Sequence, residues 1–484
     1  MNKNTDWAVR AAIAIYALLV VSAFVPAHAG TVEKNRPRVI VTTDGEDDDK
    51  ASMVRFLLSS CEFEVEAIVN SCSEFHWVGG KGWNAFQPSD WIEHYIGLYG
   101  KVYDNLRLHD PNYPSPEYLL SRWRVGNISK VGEYEERTEG AKFIAEILLD
   151  RSDKRPIWLQ AWGGCNTFAA ALKIIEEDCP ERMEEVARKI RFYLIWEQDM
   201  SYQQYIRKHW EKFGIPTIIS DQFDCIAYIW PKVLPVQVRP YFERPFMQKY
   251  ILTDKGALCE VYKNQKGAYN AEGDSPAFLH CIDNGLRSME SPGYGGWGGR
   301  YVKVRNNVWM DTPPSADYTA PEGACCFSNS WSKMMENWKS AEQVKIRDNY
   351  FKPLWRWIAD FQNDFAARAD WCVKTYDEAN HHPKVHLSGK FDRKVRAGKV
   401  VRLDASASKD PDGDNLTYRW YVYPEASTYD GSECFEGILS SDSVFNFIVP
   451  RDIRKGQTIH VIGEVCDDGS PTLKSYLRVI LVAK

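Results

Sequence analysis

Between Val39 and Val54 the chain places four aspartates and a glutamate within six residues: Asp44, Glu46, Asp47, Asp48 and Asp49. Carboxylates crowded this closely repel one another, and in a partly dehydrated cleft they stay ionised only where donors or a cation compensate. An all-oxygen set suits a hard cation such as Ca2+, which takes about 6 to 8 oxygens. The competing reading is helix capping, because Asp47, Asp48 and Asp49 fall in a first helical turn, where the macrodipole favours negative charge. Capping accounts for one or two of the acids. It leaves out Asp44, which belongs to the end of the preceding β-branched run.

That run, Arg38 to Thr43, reads as a buried strand, and Lys50 to Ser60 has apolar positions at helical spacing. The acids therefore lie in a strand-to-helix turn, where open α/β sheets bind ligands. Further apolar runs, Glu64 to Asn70, Pro156 to Trp162, Ile190 to Ile195 and Pro216 to Ser220, alternate with helical patterns. The alternation predicts an α/β fold with a mostly parallel sheet and flanking helices. Polar residues just past these strands then converge on one sheet edge: Asn70 with Glu74 and His76, Gly163 to Asn166, Glu197 with Gln198 and Asp199, and Asp221.

From Trp331 to about Glu378 the pattern is helical, and Trp355, Trp357, Phe361 and Phe365 read as a packing stripe. His381 and His382, before Pro383, read as a solvated linker rather than a metal site. Short alternating strands follow: Val385 to Leu387, Val400 to Leu403, Leu416 to Tyr423, Phe445 to Val449, Thr458 to Val465 and Ser475 to Val482. A β-sandwich of about 100 residues fits them. Asp410, Asp412 and Asp414 read as a turn, with a surface Ca2+ as the alternative.

The string Thr43-Asp-Gly-Glu-x-Asp-Asp-x-x-Ser-Met-Val-Arg55, with Asp274-Ser-Pro-Ala-Phe-Leu and Gly295-Gly-Trp-Gly-Gly-Arg-Tyr301, resembles the cellulose-binding, nucleoside-hydrolase-like family of secreted bacterial proteins. The segment Leu403 to Trp420 is similar to bacterial immunoglobulin-like modules of the polycystic-kidney-disease type. With the leader over residues 1–29 and the helical extension from about 331 read from the residues themselves, the resemblance implies a nucleoside-hydrolase-like domain over 30–380 and an immunoglobulin-like β-sandwich over 381–484. It also implies roles. Asp44 would ligate Ca2+ and activate water, Asp49, Asp274 and the Cys165 carbonyl would complete the ion site, and Asp48 would bind sugar hydroxyls. Asp274 has helix capping as its alternative, and Gly163 and Gly164 have a tight turn.

Several positions depart from simple nucleoside hydrolases. Thr42 stands where they begin the motif with an aspartate, Gly45-Glu46 replaces their Pro-Gly, and Gly273 stands where many carry a histidine that serves the leaving group. A general acid typically supplies about 10² to 10⁴ in rate, so its loss calls for a substitute. His76, Glu74, Glu197 and Glu272 are candidates, with a structural role equally open for His76, while His280 reads as packing. Asn70, Asn166 and Gln198 join the predicted substrate crevice. Trp297 and Arg300 in the glycine-rich Pro292 to Arg300 segment suit a loop closing over a sugar, or else a tight turn with a buried tryptophan. That segment lacks the Gly-Lys-Ser/Thr ending of a phosphate loop.

The basic start, the apolar run from about Ala11 to Phe24 and Ala27-His-Ala29 read as a cleavable signal peptide, implying a secreted or periplasmic protein. No later stretch approaches the ~20 apolar residues of a membrane span. A net charge of −6 argues against nucleic acid as a partner. Twelve cysteines show no zinc spacing; Cys434 and Cys466 are candidates for a disulfide, and the adjacent Cys325 and Cys326 are unassigned. Eighteen tryptophans give mild support to a carbohydrate partner. The expected function is a secreted, Ca2+-dependent hydrolase of N- or O-glycosyl bonds acting on polysaccharide-derived sugars. The alternatives are a non-catalytic cellulose- or polysaccharide-binding protein on the same scaffold and, more remotely, a structural surface protein. Oligomeric state is left open.

Overall fold

The computed structural model describes residues 36–82, 90–262, 268–311, 336, 339–435 and 437–484. The leader, Trp331 and the Cys325-Cys326 pair lie outside the described residues. The five expected strands of the first half form: β1 (Arg38–Thr43), β2 (Glu64–Asn70), β4 (Ile157–Ala161), β5 (Ile190–Ile195) and β6 (Thr217–Ser220). Three more join them, β3 (Trp123–Val125), β7 (Tyr301–Arg305) and β8 (Val308–Asp311). The sheet runs β3-β2-β1-β4-β5-β6-β8-β7, parallel throughout except for the β7–β8 hairpin at its edge. All six residues of β1 are buried, as a central strand covered on both faces requires.

The order reverses between β1 and β4, so the loops after these two strands diverge to opposite faces and open a crevice. Register brings the loops level: Thr43 pairs with Asn70 and Thr42 with Ala161. Trp162 N–H then bonds to the Thr42 carbonyl (2.9 Å), and Ser71 N–H to that of Thr43 (2.8 Å). Helix α1 (Asp47–Leu58) leaves β1, and α2 (Asn166–Asp178) leaves β4. The short α3 (Ser275–Leu279) packs against α1 and places Asp274 near the start of α1.

The expected helical extension forms as α4 (Ala341–Trp355) and α5 (Ile358–Trp371). Trp357, Phe361 and Phe365 enter the core, as a packing stripe should, whereas Trp355 is only partly buried and packs against its edge. Beyond it lie two sheets, β10 (Val400–Asp404) with β12 (Val444–Ile448), and a four-stranded sheet ordered β11 (Thr417–Val422), β13 (Thr458–Cys466), β14 (Lys474–Ala483) and β9 (Asp392–Val395). They share an apolar core around Leu403, Trp420, Phe447 and Val461. The outer face of the larger sheet packs on the first region: Tyr423, Ile462 and Tyr476 belong to its core. Residues Pro37–Lys484 make one compact unit.

Four expectations are corrected here. Val385 to Leu387 is not a strand, because that stretch contributes only a bridge from Lys384 to Lys409, and β9 pairs with β14 instead. His381 is buried, not solvated. Its Nδ1 lies 2.9 Å from Asp412 Oδ1 and its Nε2 2.9 Å from His109 Nδ1. Cys434 and Cys466 are free thiols. Trp297 is buried, with its indole N–H on the Tyr476 hydroxyl at 3.3 Å, and Arg300 is also buried. The glycine-rich segment is therefore a turn packed under β14 and not a loop over the crevice.

Candidate active site

Asp44 follows β1 and is fully buried, and neither of its carboxylate oxygens has a hydrogen-bond partner in ordinary geometry. Gly45 takes φ +79°, a left-handed conformation that turns the chain into α1, and a Cβ there would come within 2.9 Å of Trp91 Nε1. The first-turn acids do not cap the helix: Glu46 stands at the N-cap position without a side-chain cap bond. Asp49 instead accepts from the Thr43 hydroxyl, and Asp48 Oδ1 accepts from the Tyr228 hydroxyl at 2.9 Å. Asp274 likewise precedes α3 without capping it, and its Oδ2 is buried with no partner.

Carboxylate oxygens of Glu46, Asp48 and Asp49 lie within 4.8 Å of one another, and ligand atoms of Asp44, Glu46 and His76 form a second such group. Burial is the largest cause raising Asp44 to a pKa of about 8, with the Glu46 charge next and the Ser73 hydroxyl partly offsetting both. Asp48, Asp49 and Asp274 are pushed well above the carboxylate range, first by burial and then by each other and by Glu46 or Asp44. His76 is driven the other way: burial lowers its pKa, although Asp49 opposes the shift. Its Nδ1 lies 3.3 Å from Glu46 Oε1. Such a set of orphaned and mutually repelling oxygens is what a hard divalent cation would neutralise, so the residues present fit Ca2+.

The wall of the crevice is fixed by close approach. A Cβ on Gly163 would lie 2.9 Å from both Cβ and Cγ of Asp44, so only glycine lets the β4 turn pass this carboxylate. The Cys165 carbonyl, assigned to the ion by resemblance, accepts the Ala169 N–H at 2.9 Å and so begins the hydrogen-bond ladder of α2. Gly273 abuts Asp48, whose Oδ2 would be 2.5 Å from an added Cβ. The position where related enzymes carry histidine is thus filled from the other side by Asp48.

The remaining predicted residues divide. Asn70 is buried and accepts the Trp123 indole N–H (2.9 Å), with its own amide nitrogen unpartnered. The Asn166 side chain donates to the Asn127 carbonyl (2.7 Å) and to Cys72 Sγ (3.3 Å), which makes it a brace between loops. Gln198 donates to the carbonyls of Trp162 (2.5 Å) and Ile195 (2.9 Å). Glu74 is exposed, with only its backbone N–H tied to the Gln198 carbonyl. Glu197 is buried, accepts from Gln203 (2.6 Å) and, chiefly through burial, has its pKa raised to about 8. Asp199 is raised to about 6 by burial. Glu272 is committed to Arg55, which excludes it as a proton donor.

Sequence reasoning missed Tyr228 and Trp91. Tyr228 is 50% exposed, so its ring faces solvent while its hydroxyl orders Asp48. Nothing local marks it, since its partner lies 180 positions away.

No curated protein matches the sequence. Among solved structures, a nucleoside hydrolase-related protein from Saccharophagus degradans, described as associated with carbohydrate metabolism, is 27% identical with a TM-score of 0.72, covering 93% of this chain and 100% of its own. An inosine-guanosine nucleoside hydrolase (13% identical, TM-score 0.31, 70% and 98% covered) and a plant nucleoside hydrolase (10%, 0.29, 66% and 98%) are too distant to support an argument. Residues 400–483 match the C-terminal domain of the cellulose-binding protein Sde0182. Residues 38–301 match the nucleoside hydrolase-like domain of cellulose-binding Sde182, and the chain belongs to that family.

Proposed function

We propose that this protein is an exported hydrolase of glycosyl bonds in polysaccharide-derived carbohydrate, with Asp44 as the base that activates water. The observation that carries the reading is Asp44 itself: a buried carboxylate whose oxygens have no hydrogen-bond partner in ordinary geometry, at the switch point of the sheet and surrounded by Glu46, Asp48, Asp49 and Asp274. Ca2+ bound among Asp44, Asp49 and Asp274 would balance their charge and hold a water ready for attack. Asp44 takes the proton of the attacking water. Asp48, oriented by Tyr228, binds sugar hydroxyls. The surrounding carboxylates stabilise the positive charge that develops on the sugar as the bond breaks. Glu197, which keeps its proton up to about pH 8, is the proposed donor to the leaving group in place of the absent histidine. The family's cellulose-binding description and the carbohydrate association of the Saccharophagus relative support the substrate class. Among the described residues no helix is long and apolar enough to cross a membrane.

A non-catalytic polysaccharide-binding protein is the second reading, favoured by Gly273 standing at the histidine position. Sugar release from nucleosides, aryl glycosides and polysaccharides, measured with Ca2+ for wild type and Asp44→Asn, separates the two. Release that falls by about 10² or more in the variant supports the hydrolase. Silence across the panel, with saturable sugar binding, supports the binder.

A further inference from the structure

A groove of about 910 Å³ runs between α4 and the face of β11, with Glu433, Phe435, Gly437 and Ile438 on its rim. None of its lining residues belongs to the acidic site. Its size is at the upper end of the roughly 300–1,000 Å³ of small-molecule sites, and exposed Lys352, Arg419 and Ile438 leave it open to solvent.

Trp355 distinguishes this groove from a mere seam between packed elements. It is the one member of the aromatic stripe that does not enter the core, and its indole N–H donates to the Asp348 carbonyl at 2.8 Å, which fixes the ring at the groove wall. Tyr421 and Phe435 add two further aromatic faces. Four basic and three acidic side chains line the groove. Several are already neutralised in place: Glu425 lies 3.2 Å from Arg356 and 3.7 Å from Lys352, and Glu464 lies 3.3 Å from Lys474 while accepting from the Tyr421 hydroxyl at 3.2 Å. The surface is thus rich in aromatic faces and fixed hydrogen-bonding groups, yet has almost no net charge. A polyanion needs an unbalanced positive lining, and an apolar small molecule needs an enclosed apolar pocket. A neutral glycan needs neither. The C–H faces of its pyranose rings stack on aromatic rings, and its hydroxyls bond to paired carboxylates and guanidinium groups.

We infer that this groove is a second carbohydrate site, separate from Asp44, that holds a neutral polysaccharide chain across the junction of α4 and β11. The inference rests on the carbohydrate reading of the protein's function. Its test is depletion of the full-length protein by amorphous cellulose, with cellohexaose titration as the soluble probe. The proteins compared are wild type, Trp355→Ala, the surface double variant Arg419→Ala/Ile438→Ser, and Asp44→Asn. Groove variants should bind at least about tenfold more weakly with an unchanged melting temperature. Folded groove variants that bind normally overturn the groove assignment alone. Loss confined to Asp44→Asn moves cellulose to the acidic site and also overturns it. A wild-type protein that binds neither probe overturns the groove together with the carbohydrate reading. Should Trp355→Ala fail to fold, the exposed double variant decides.

Discussion

Arg55 and Glu272 form a fully buried ion pair, Nε to Oε2 at 2.5 Å and Nη2 to Oε1 at 2.8 Å, between the last turn of α1 and the turn that carries Asp274. Arg55 also donates to the Phe361 carbonyl at 2.9 Å, so one guanidinium ties the acid-bearing helix, the Asp274 turn and α5 together. Removing one partner strands a buried charge, which typically costs about 3–5 kcal/mol. Glu272→Ala should therefore lower the denaturation free energy by that order in urea titration, and Arg55→Met/Glu272→Met should recover a large part of it. A Glu272→Ala protein as stable as wild type would remove the pair from the account of how Asp274 is placed.

The acidic site predicts an unusual pH response. Asp44 and Glu197 have pKa values near 8 in the fold, well above those of an unfolded chain. A raised carboxyl pKa gives stability that is complete below the unfolded value and is lost as pH rises through the folded one. His280 and His460, lowered to about 3 by burial, act oppositely, but only below about pH 6.5 where the unfolded histidines take up protons. Between pH 6.5 and 8 the acids dominate. In chelator the melting temperature should fall by about 3 °C or more over this interval, and millimolar Ca2+ should abolish the fall. A flat profile in chelator would contradict the placement of these protons.

Two glycines should respond differently to alanine. At Gly163 the new methyl meets Cβ and Cγ of Asp44, and Cβ is fixed by the backbone and cannot swing away, so Gly163→Ala should cost about 1–3 kcal/mol as overpacking. At Gly273 the methyl meets the end of the Asp48 carboxylate, which can rotate. Gly273→Ala should melt within about 2 °C of wild type while raising the KM for any sugar substrate. Thermal melts and steady-state kinetics on both variants check the contrast.

Tyr228→Phe removes the hydroxyl that Asp48 accepts but keeps the exposed ring. The expected result is a KM increase of about fivefold to tenfold, from loss of one hydrogen bond of about 1–1.5 kcal/mol, with the fold intact by circular dichroism. Tyr228→Ala should cost more, since the ring is lost as well. Equal effects of the two would mean that only the hydroxyl matters.

The central strands and the Asp44–Asp49 turn were legible because both signals are local: a continuous β-branched run reads as a doubly covered strand, and acids after it fall at the strand's carboxyl end. Asp274 was legible only through a family motif, since nothing nearby says which turn it faces. The misreadings share a cause. His381 looked like linker because its partners, His109 and Asp412, lie 272 and 31 positions away. Glu272 looked like a free acid because Arg55 is 217 positions distant. Trp297 looked like a binding loop because glycine-rich sequence describes backbone freedom and says nothing of the β14 surface that covers it. Strand β7 escaped because a short edge strand carrying Lys303 and Arg305 has little apolar alternation to detect, and its inner neighbour β8 escaped because it is only 4 residues long.

Arg478, on β14, has no exposed surface, and it donates to the backbone carbonyls of Leu286 (2.6 Å) and Gly295 (2.9 Å) in the first region. A chain cut before β9 loses this donor, and the excised sheets would expose Arg478 together with Tyr423, Ile462 and Tyr476, which belong to the core of the first region. The carboxyl-terminal sheets are therefore a poor choice as a portable affinity tag, and a fusion partner that needs them must carry the whole folded chain from β1 onward.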